Sequence, residues 1–143
     1  MNSKRCLLAI VVSSVAAVWS FEAGAADTVV LPATAKPLTK AGLTAAYAGK
    51  NTEWSHPNTD KATGTATFDA PMTSVSGKFQ NGKDNGEWEG KISWKGDEYC
   101  YQIRPKGAGK FGKPVCNFGY QDGNTVYEVD PKSKKVLSVA KLK

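Results

Sequence analysis

Acyl transfer needs a nucleophile, a base and an orienting acid within reach of one another. The chain holds one imidazole, His56, in the turn Ser55-His56-Pro57-Asn58. A proline directly after it and polar neighbours read as an exposed loop rather than a general base. Glycosidase chemistry needs two carboxylates facing each other across a cleft, one of them with a pKa raised by burial. Glu87 and Glu89 alternate with Lys91 along one side of a strand, and Asp97 and Glu98 sit in a tight turn, so both pairs read as solvated surface. The loop Lys106 to Pro114, KGAGKFGKP, is rich in glycine and lysine. It lacks the order of a phosphate cradle, and no helix follows to aim its amides at an anion. It is expected to be a long flexible hairpin loop, cationic through Lys106, Lys110 and Lys113, with Phe111 at its tip as a partner contact. No catalytic residue emerges, and the expectation is that the protein is not an enzyme.

The aromatic residues carry more weight. In Gly86 to Cys100, GEWEGKISWKGDEYC, Trp88, Gly90, Ile92 and Trp94 share one side of a strand, while Glu87, Glu89, Lys91 and Ser93 share the other. Each buried tryptophan contributes about 2–3 kcal/mol or more through area removed from water, far above any surface ion pair. That face must point inward. Trp54, Trp88, Trp94, Tyr99 and Tyr101 are therefore read first as core, and second as the lining of a ligand site at the mouth of the sheet.

The elements that position these residues follow from the rest of the chain. It opens MNSKRCLLAIVVSSVAAVWSFEAGAA, with Lys4 and Arg5 before an apolar run and the small residues Ala23-Gly24-Ala25 at its end. This reads as a secretory signal over residues 1–26, cleaved after Ala25 or Ala26, and too short and serine-broken for a membrane span of roughly 20 residues. The rival is an uncleaved anchor. The expected home is the periplasm or the secreted fraction, with no transmembrane segment once the signal is removed. Of three cysteines, Cys100 and Cys116 then remain, and an even pair in an exported chain is most simply a disulfide. Closing a loop of about 15 residues adds on the order of 3 kcal/mol in the chain-entropy account. A metal site is short of ligands, with one histidine and no CxxC spacing, and no cofactor is expected.

Nineteen basic residues against 13 acidic ones give a net charge of +6. The surplus is dispersed, as on an ordinary solvated surface. It favours an anionic envelope component as partner, or another exported protein, and export argues against nucleic acid.

Residues 27–37, DTVVLPATAKP, form an extended lead-in with two prolines. The remainder, 38–143, is one domain. Leu38, Leu43, Ala46 and Tyr47 fall near helical spacing, Thr39 can cap the start and Gly49 can end it, which predicts a helix over 39–48. From Asn51 onward turn signals recur every eight to twelve residues: HPNTDKATG, NGKDNG, KGD, KGAGKFGKP, QDGN and DPKSKK. They bound short stretches rich in threonine, valine and aromatics, predicting strands near 51–55, 64–69, 73–80, 87–94, 98–104, 115–121, 125–130 and 135–141. Gly77 and Gly90 leave gaps for a neighbouring ring or mark bends. Cys100 and Cys116 fall on the side opposite Tyr99 and Tyr101. Either a bulge shifts the register there, or both faces are covered, the second by the helix.

The chain resembles a family of small exported proteobacterial proteins, domain-of-unknown-function family 995. The likeness lies in Leu43 and Tyr47-Ala48-Gly49-Lys50, Trp54, Gly86-x-Trp88, Tyr99-Cys100-Tyr101, Cys116 with Phe118, and Asp122-Gly123 before Val126-Tyr127. It covers most of residues 38–130. The resemblance implies an exported β-rich domain and brings no catalytic residues. Gly86-x-Trp88 is also similar to the Gly-x-Trp of lipocalins, which opens their first strand, whereas Gly86 lies mid-chain. The fold expected is mainly β, an antiparallel meander forming a small barrel or half-barrel, lipocalin-like in outline, with one short N-terminal helix. The function expected is that of a non-enzymatic binding or structural protein. The alternative is a protein-facing role, as inhibitor of an envelope hydrolase or secreted host-interaction factor, with the Lys106 to Pro114 loop as the probe.

Overall fold

A computed structural model describes residues 28–143 of the chain. The secretory signal read over 1–26 lies outside the described residues. The lead-in is pinned along the barrel rather than free. Asn58 accepts a hydrogen bond from the Val29 N–H at 2.8 Å and donates to its carbonyl at 2.7 Å. Further on, the Thr34 hydroxyl donates to Asp122. The segment ends in a two-residue strand, β1 (Lys36–Pro37).

Helix α1 (Lys40–Tyr47) follows. The Thr39 hydroxyl accepts the Gly42 N–H at 3.2 Å, the expected cap, and Gly49 takes φ +66° just past the end. Eight strands come next: β2 (Asn51–Ser55), β3 (Thr63–Phe68), β4 (Ser74–Asn81), β5 (Asp84–Lys95), β6 (Glu98–Pro105), β7 (Val115–Asp122), β8 (Thr125–Val129) and β9 (Val136–Leu142). Each pairs antiparallel with the next, and β9 returns to β2 with Thr52 opposite Leu142 and Trp54 opposite Ala140. The sheet closes on itself. Of the expected barrel and half-barrel, the structure is the barrel, and β1 adds to one side of β7. Three hairpins turn in two residues because Gly82, Gly96 and Gly123 accept positive φ, +60°, +63° and +59°.

Helix α1 does not cover the outside of the sheet. Leu43, Ala46 and Tyr47 enter one end of the barrel and pack with Phe68, Met72, Val75, Tyr99 and Val126. Tyr47 is fully buried and stacks on Phe68 with ring centroids 4.5 Å apart. An open barrel end leaves apolar inward residues wet, and a short helix with a narrow apolar stripe serves better as a stopper than as a lid over a wall. The turn between β3 and β4 closes the same end. There Met72 is buried at φ +55°, and Asp69 accepts the backbone N–H groups of Thr73 and Ser74 and the Thr73 hydroxyl. Desolvation opposes ionisation of Asp69, but these donors outweigh it and hold its pKa down to about 2. Asp69→Ala is expected to lose about 1–2 kcal/mol of stability in a denaturant melt, through the orphaned amides.

Cys100 and Cys116 form the expected disulfide, directly opposite each other on β6 and β7 with Cα atoms 4.0 Å apart. No bulge lies between these strands; the one register shift falls between Glu128 and Val129 against β9. The outer face here carries its own cover instead, Phe118 and Tyr120 bordering a groove with Pro37 and Leu38. Replacing both cysteines by serine should lower stability by about 2–3 kcal/mol, read from the denaturation midpoint.

Candidate functional site

The helix fills one end of the barrel and leaves the other open. Inward residues follow strict alternation: Thr52 and Trp54 on β2, Ala66 and Phe68 on β3, Val75 and Phe79 on β4, Trp88 on β5, Tyr99, Tyr101 and Ile103 on β6, Glu128 on β8, Ser138 and Ala140 on β9. Together they enclose a cavity of about 460 Å³. Tyr47, Tyr99, Thr52, Glu128 and Ser138 line it toward the helix, and His56, Asp60, Asn81, Asp84 and Arg104 stand at the open end.

Two glycines keep this space open. A Cβ on Gly64 would lie 2.6 Å from the Trp54 ring, and one on Gly77 would lie 3.0 Å from the Trp88 ring. Without side chains, β3 and β4 let both indoles lie along the wall instead of crossing the lumen. The gap at Gly77 is thus filled by a ring, as its position suggests, while Gly90 faces Val75 and Ile103. The two indoles meet edge to face at 6.3 Å. Their N–H groups are buried and find no acceptor among the described residues.

Among the described residues, one buried acid faces this apolar interior. Glu128 lies on β8 between Gly119 of β7 and Ser138 of β9, and it is buried. The Tyr47 hydroxyl donates to its Oε1 at 3.3 Å. Burial raises its pKa to about 7, against a smaller lowering by the Tyr47 hydrogen bond. The same burial, with the neighbouring acid, raises the pKa of Tyr47, Tyr99 and Tyr101 above the ordinary phenol value. Sequence reasoning misses Glu128, although a signal for it exists: it has the same parity as Val126, an inward position.

The structure brings Trp54, Trp88, Tyr99 and Tyr101 together around the cavity, four of the five aromatics expected at a ligand site. Trp94 is the correction. It lies toward the stoppered end, against Tyr99 at 5.8 Å and beneath the Lys40 ammonium at 5.4 Å, outside the cavity. Strand alternation gives its face correctly but not its height along the barrel axis.

The Lys106 to Pro114 loop is also corrected. It lies back on the outer wall of β5 and β6, with the Gly112 N–H donating to the Ile103 carbonyl at 2.9 Å and Gln102 donating to the Gly112 carbonyl. Phe111 is no free tip: its half-buried ring sits 4.6 Å from the Lys91 ammonium and 4.4 Å from the Arg104 guanidinium. Lys106 pairs with Glu87 and Arg104 with Glu89, while Lys110 and Lys113 remain exposed. Cation–π contacts and two backbone anchors are invisible in the loop's composition. Glu87 and Glu89 are on the outer face, as read from the sequence.

His56 stands at the mouth beside Trp54, its Nδ1 3.1 Å from Asp60. The grouping of potential metal ligands found among the described residues, Glu98 with Cys100 and Cys116, has both sulfurs committed to the disulfide.

Fold and site together define a closed eight-stranded up-and-down barrel, stoppered by a helix, with an aromatic lumen open at one end. Set against family models, curated proteins and solved structures, the chain matches none of them.

Proposed function

We propose that this is a non-enzymatic binding protein of the periplasm or the secreted fraction, which carries a small, largely apolar molecule in its lumen. The observation that supports this most is the cavity of about 460 Å³, open at one end and walled by Trp54, Trp88, Tyr99 and Tyr101. Eight strands give an interior just wide enough either to be filled by side chains or to hold one small ligand. Here two glycines hold the wider of those arrangements. The volume lies in the usual range of small-molecule pockets, roughly 300–1,000 Å³, and apolar walls with few polar groups are the usual lining. A ligand burying about 300 Å² of apolar surface gains roughly 7 kcal/mol before the costs of association, enough for a useful affinity. The disulfide fits an oxidising compartment. The alternative, a protein-facing role, relied on a projecting loop, and Lys106 to Pro114 is laid on the wall.

Tryptophan emission titrated with fatty acids, glycans and cell-wall fragments tests the reading. A saturable shift with at least one class is expected, and Trp88→Ala should weaken that binding about tenfold or more, as removal of a central aromatic anchor does. Silence across every class would leave the barrel a structural protein.

A further inference from the structure

The lumen is not uniformly apolar, and its one buried acid, Glu128, meets no cationic side chain among the described residues. Glu128 accepts a single hydrogen bond, from Tyr47, and its second oxygen meets no protein donor among the described residues. A carboxylate offers about four acceptor positions. Of the basic residues lining the cavity, His56 is at the mouth with Asp60, and Arg104 is held outside by Glu89. Buried acids are ordinarily paired, because desolvating an unpaired charge is costly. Beside Glu128 stand Tyr47, whose hydroxyl donates to it, and Tyr99 and Tyr101, all three lining the same cavity, and Trp54 and Trp88 continue the wall outward. Aromatic faces attract cations, most strongly where water is excluded.

We infer that the ligand is a compact amine with an aromatic or alicyclic body, entering ammonium first so that the ammonium meets Glu128 while the body lies along the wall that Trp54 and Trp88 form together. This rests on the lumen being the ligand site. The same geometry disfavours a carboxylate end at that depth, where two like charges would meet in a dry pocket. Titratable groups acting on Glu128 come from two elements, Tyr47 on α1 and Tyr99 and Tyr101 on β6, and none of them ionises near neutrality. Amine binding should therefore follow the protonation of Glu128, weakening as pH falls below about 7.

The test is calorimetric titration with three probes that share one body: naphthylmethylamine, naphthylmethanol and naphthoate. At about pH 8 the amine should bind about tenfold or more tighter than the alcohol, as a hydrogen bond between charged groups in a buried site would provide. Naphthoate should be weakest. In Glu128→Gln the amine should lose its advantage while the alcohol keeps its affinity, a control that the barrel is intact. At about pH 5.5 the wild-type amine affinity should fall toward that of the alcohol. Equal affinity of amine and alcohol, or an amine preference that survives Glu128→Gln, overturns the assignment of the amine and leaves the lumen site standing. Failure of all three probes, together with silence in the fluorescence panel, overturns both.

Discussion

Gly77→Ala is expected to destabilise the barrel by more than about 3 kcal/mol, or to prevent its closure, because the added methyl group meets backbone. Its Cβ would lie 1.8 Å from the Thr65 carbonyl oxygen, and 3.0 Å from the Trp88 ring. A ring can rotate away. A carbonyl within the β3–β4 ladder cannot move without breaking the pairing of Ala66 with Gly77 and its neighbours. Overpacking that flexible side chains can absorb costs about 1–3 kcal/mol, and a clash with backbone lies at or above the top of that range. Gly64 repeats the arrangement, with a Cβ 2.0 Å from the Lys78 carbonyl oxygen. Gly112→Ala is the control. Its nearest neighbour would be the Ile103 carbonyl at 3.4 Å, and the denaturation midpoint should hardly move. If Gly77→Ala melts like the wild type, the strands do not approach as closely as described, and the lumen loses its shape.

Glu128→Gln is expected to stabilise the protein at about pH 8, by up to about 3 kcal/mol, and to flatten its stability across the neutral range. Glu128 in the folded chain titrates at about 7, against an ordinary 4.5. Between those values the native state holds a proton that the unfolded chain has released. Its contribution is therefore fully present below about pH 4.5, declines as pH rises through about 7, and is lost above that. Each tenfold change in proton affinity is worth about 1.4 kcal/mol, so the difference between the two states amounts to about 3 kcal/mol. Asp69, held down to about 2, acts the other way, contributing stability above about pH 4 that is lost in strong acid. The wild-type melting temperature should thus peak near pH 5 and fall toward pH 8, and in the glutamine variant the fall should disappear. A fall of equal size in both proteins would mean that Glu128 is solvated and carries no unpaired charge at pH 8.

A stability cost accepted at one inward position is what a binding site looks like from the side of folding. An alanine or valine at residue 128 would pack the lumen more cheaply, and the alternation of Val126 and Glu128 shows that the backbone would accept it.

The barrel is legible in the sequence because its physics is local. Turn residues at regular spacing and alternation within each stretch place all eight long strands within a few residues of where they lie. Thr39 and Gly49 bound the helix through capping chemistry that needs no tertiary partner. The pairing of Cys100 with Cys116 comes from counting. What escapes the sequence depends on the third dimension. Alternation tells which face Trp94 and Trp88 share, but only the stagger of the closed sheet separates one at the stopper from the other at the cavity. Phe118 and Tyr120 call for cover and so suggest a helix on the outer wall, yet the narrow stripe of Leu43 and Tyr47 fits the barrel's end. Phe111 reads as a tip because its partners, Lys91 and Arg104, are far from it in sequence or masked by their charge. Glu128 escapes any search for paired acids, since its chemistry comes from being alone.

Nitrogen-edited NMR of the indole N–H groups, followed while naphthylmethanol is titrated in, shows whether a small molecule enters the lumen. If the lumen is the binding site, the Trp54 and Trp88 resonances shift together and saturate, and Trp94, toward the stoppered end, stays close to its starting position. Shifts at Trp94 with none at Trp54 and Trp88 would place binding elsewhere and contradict the account.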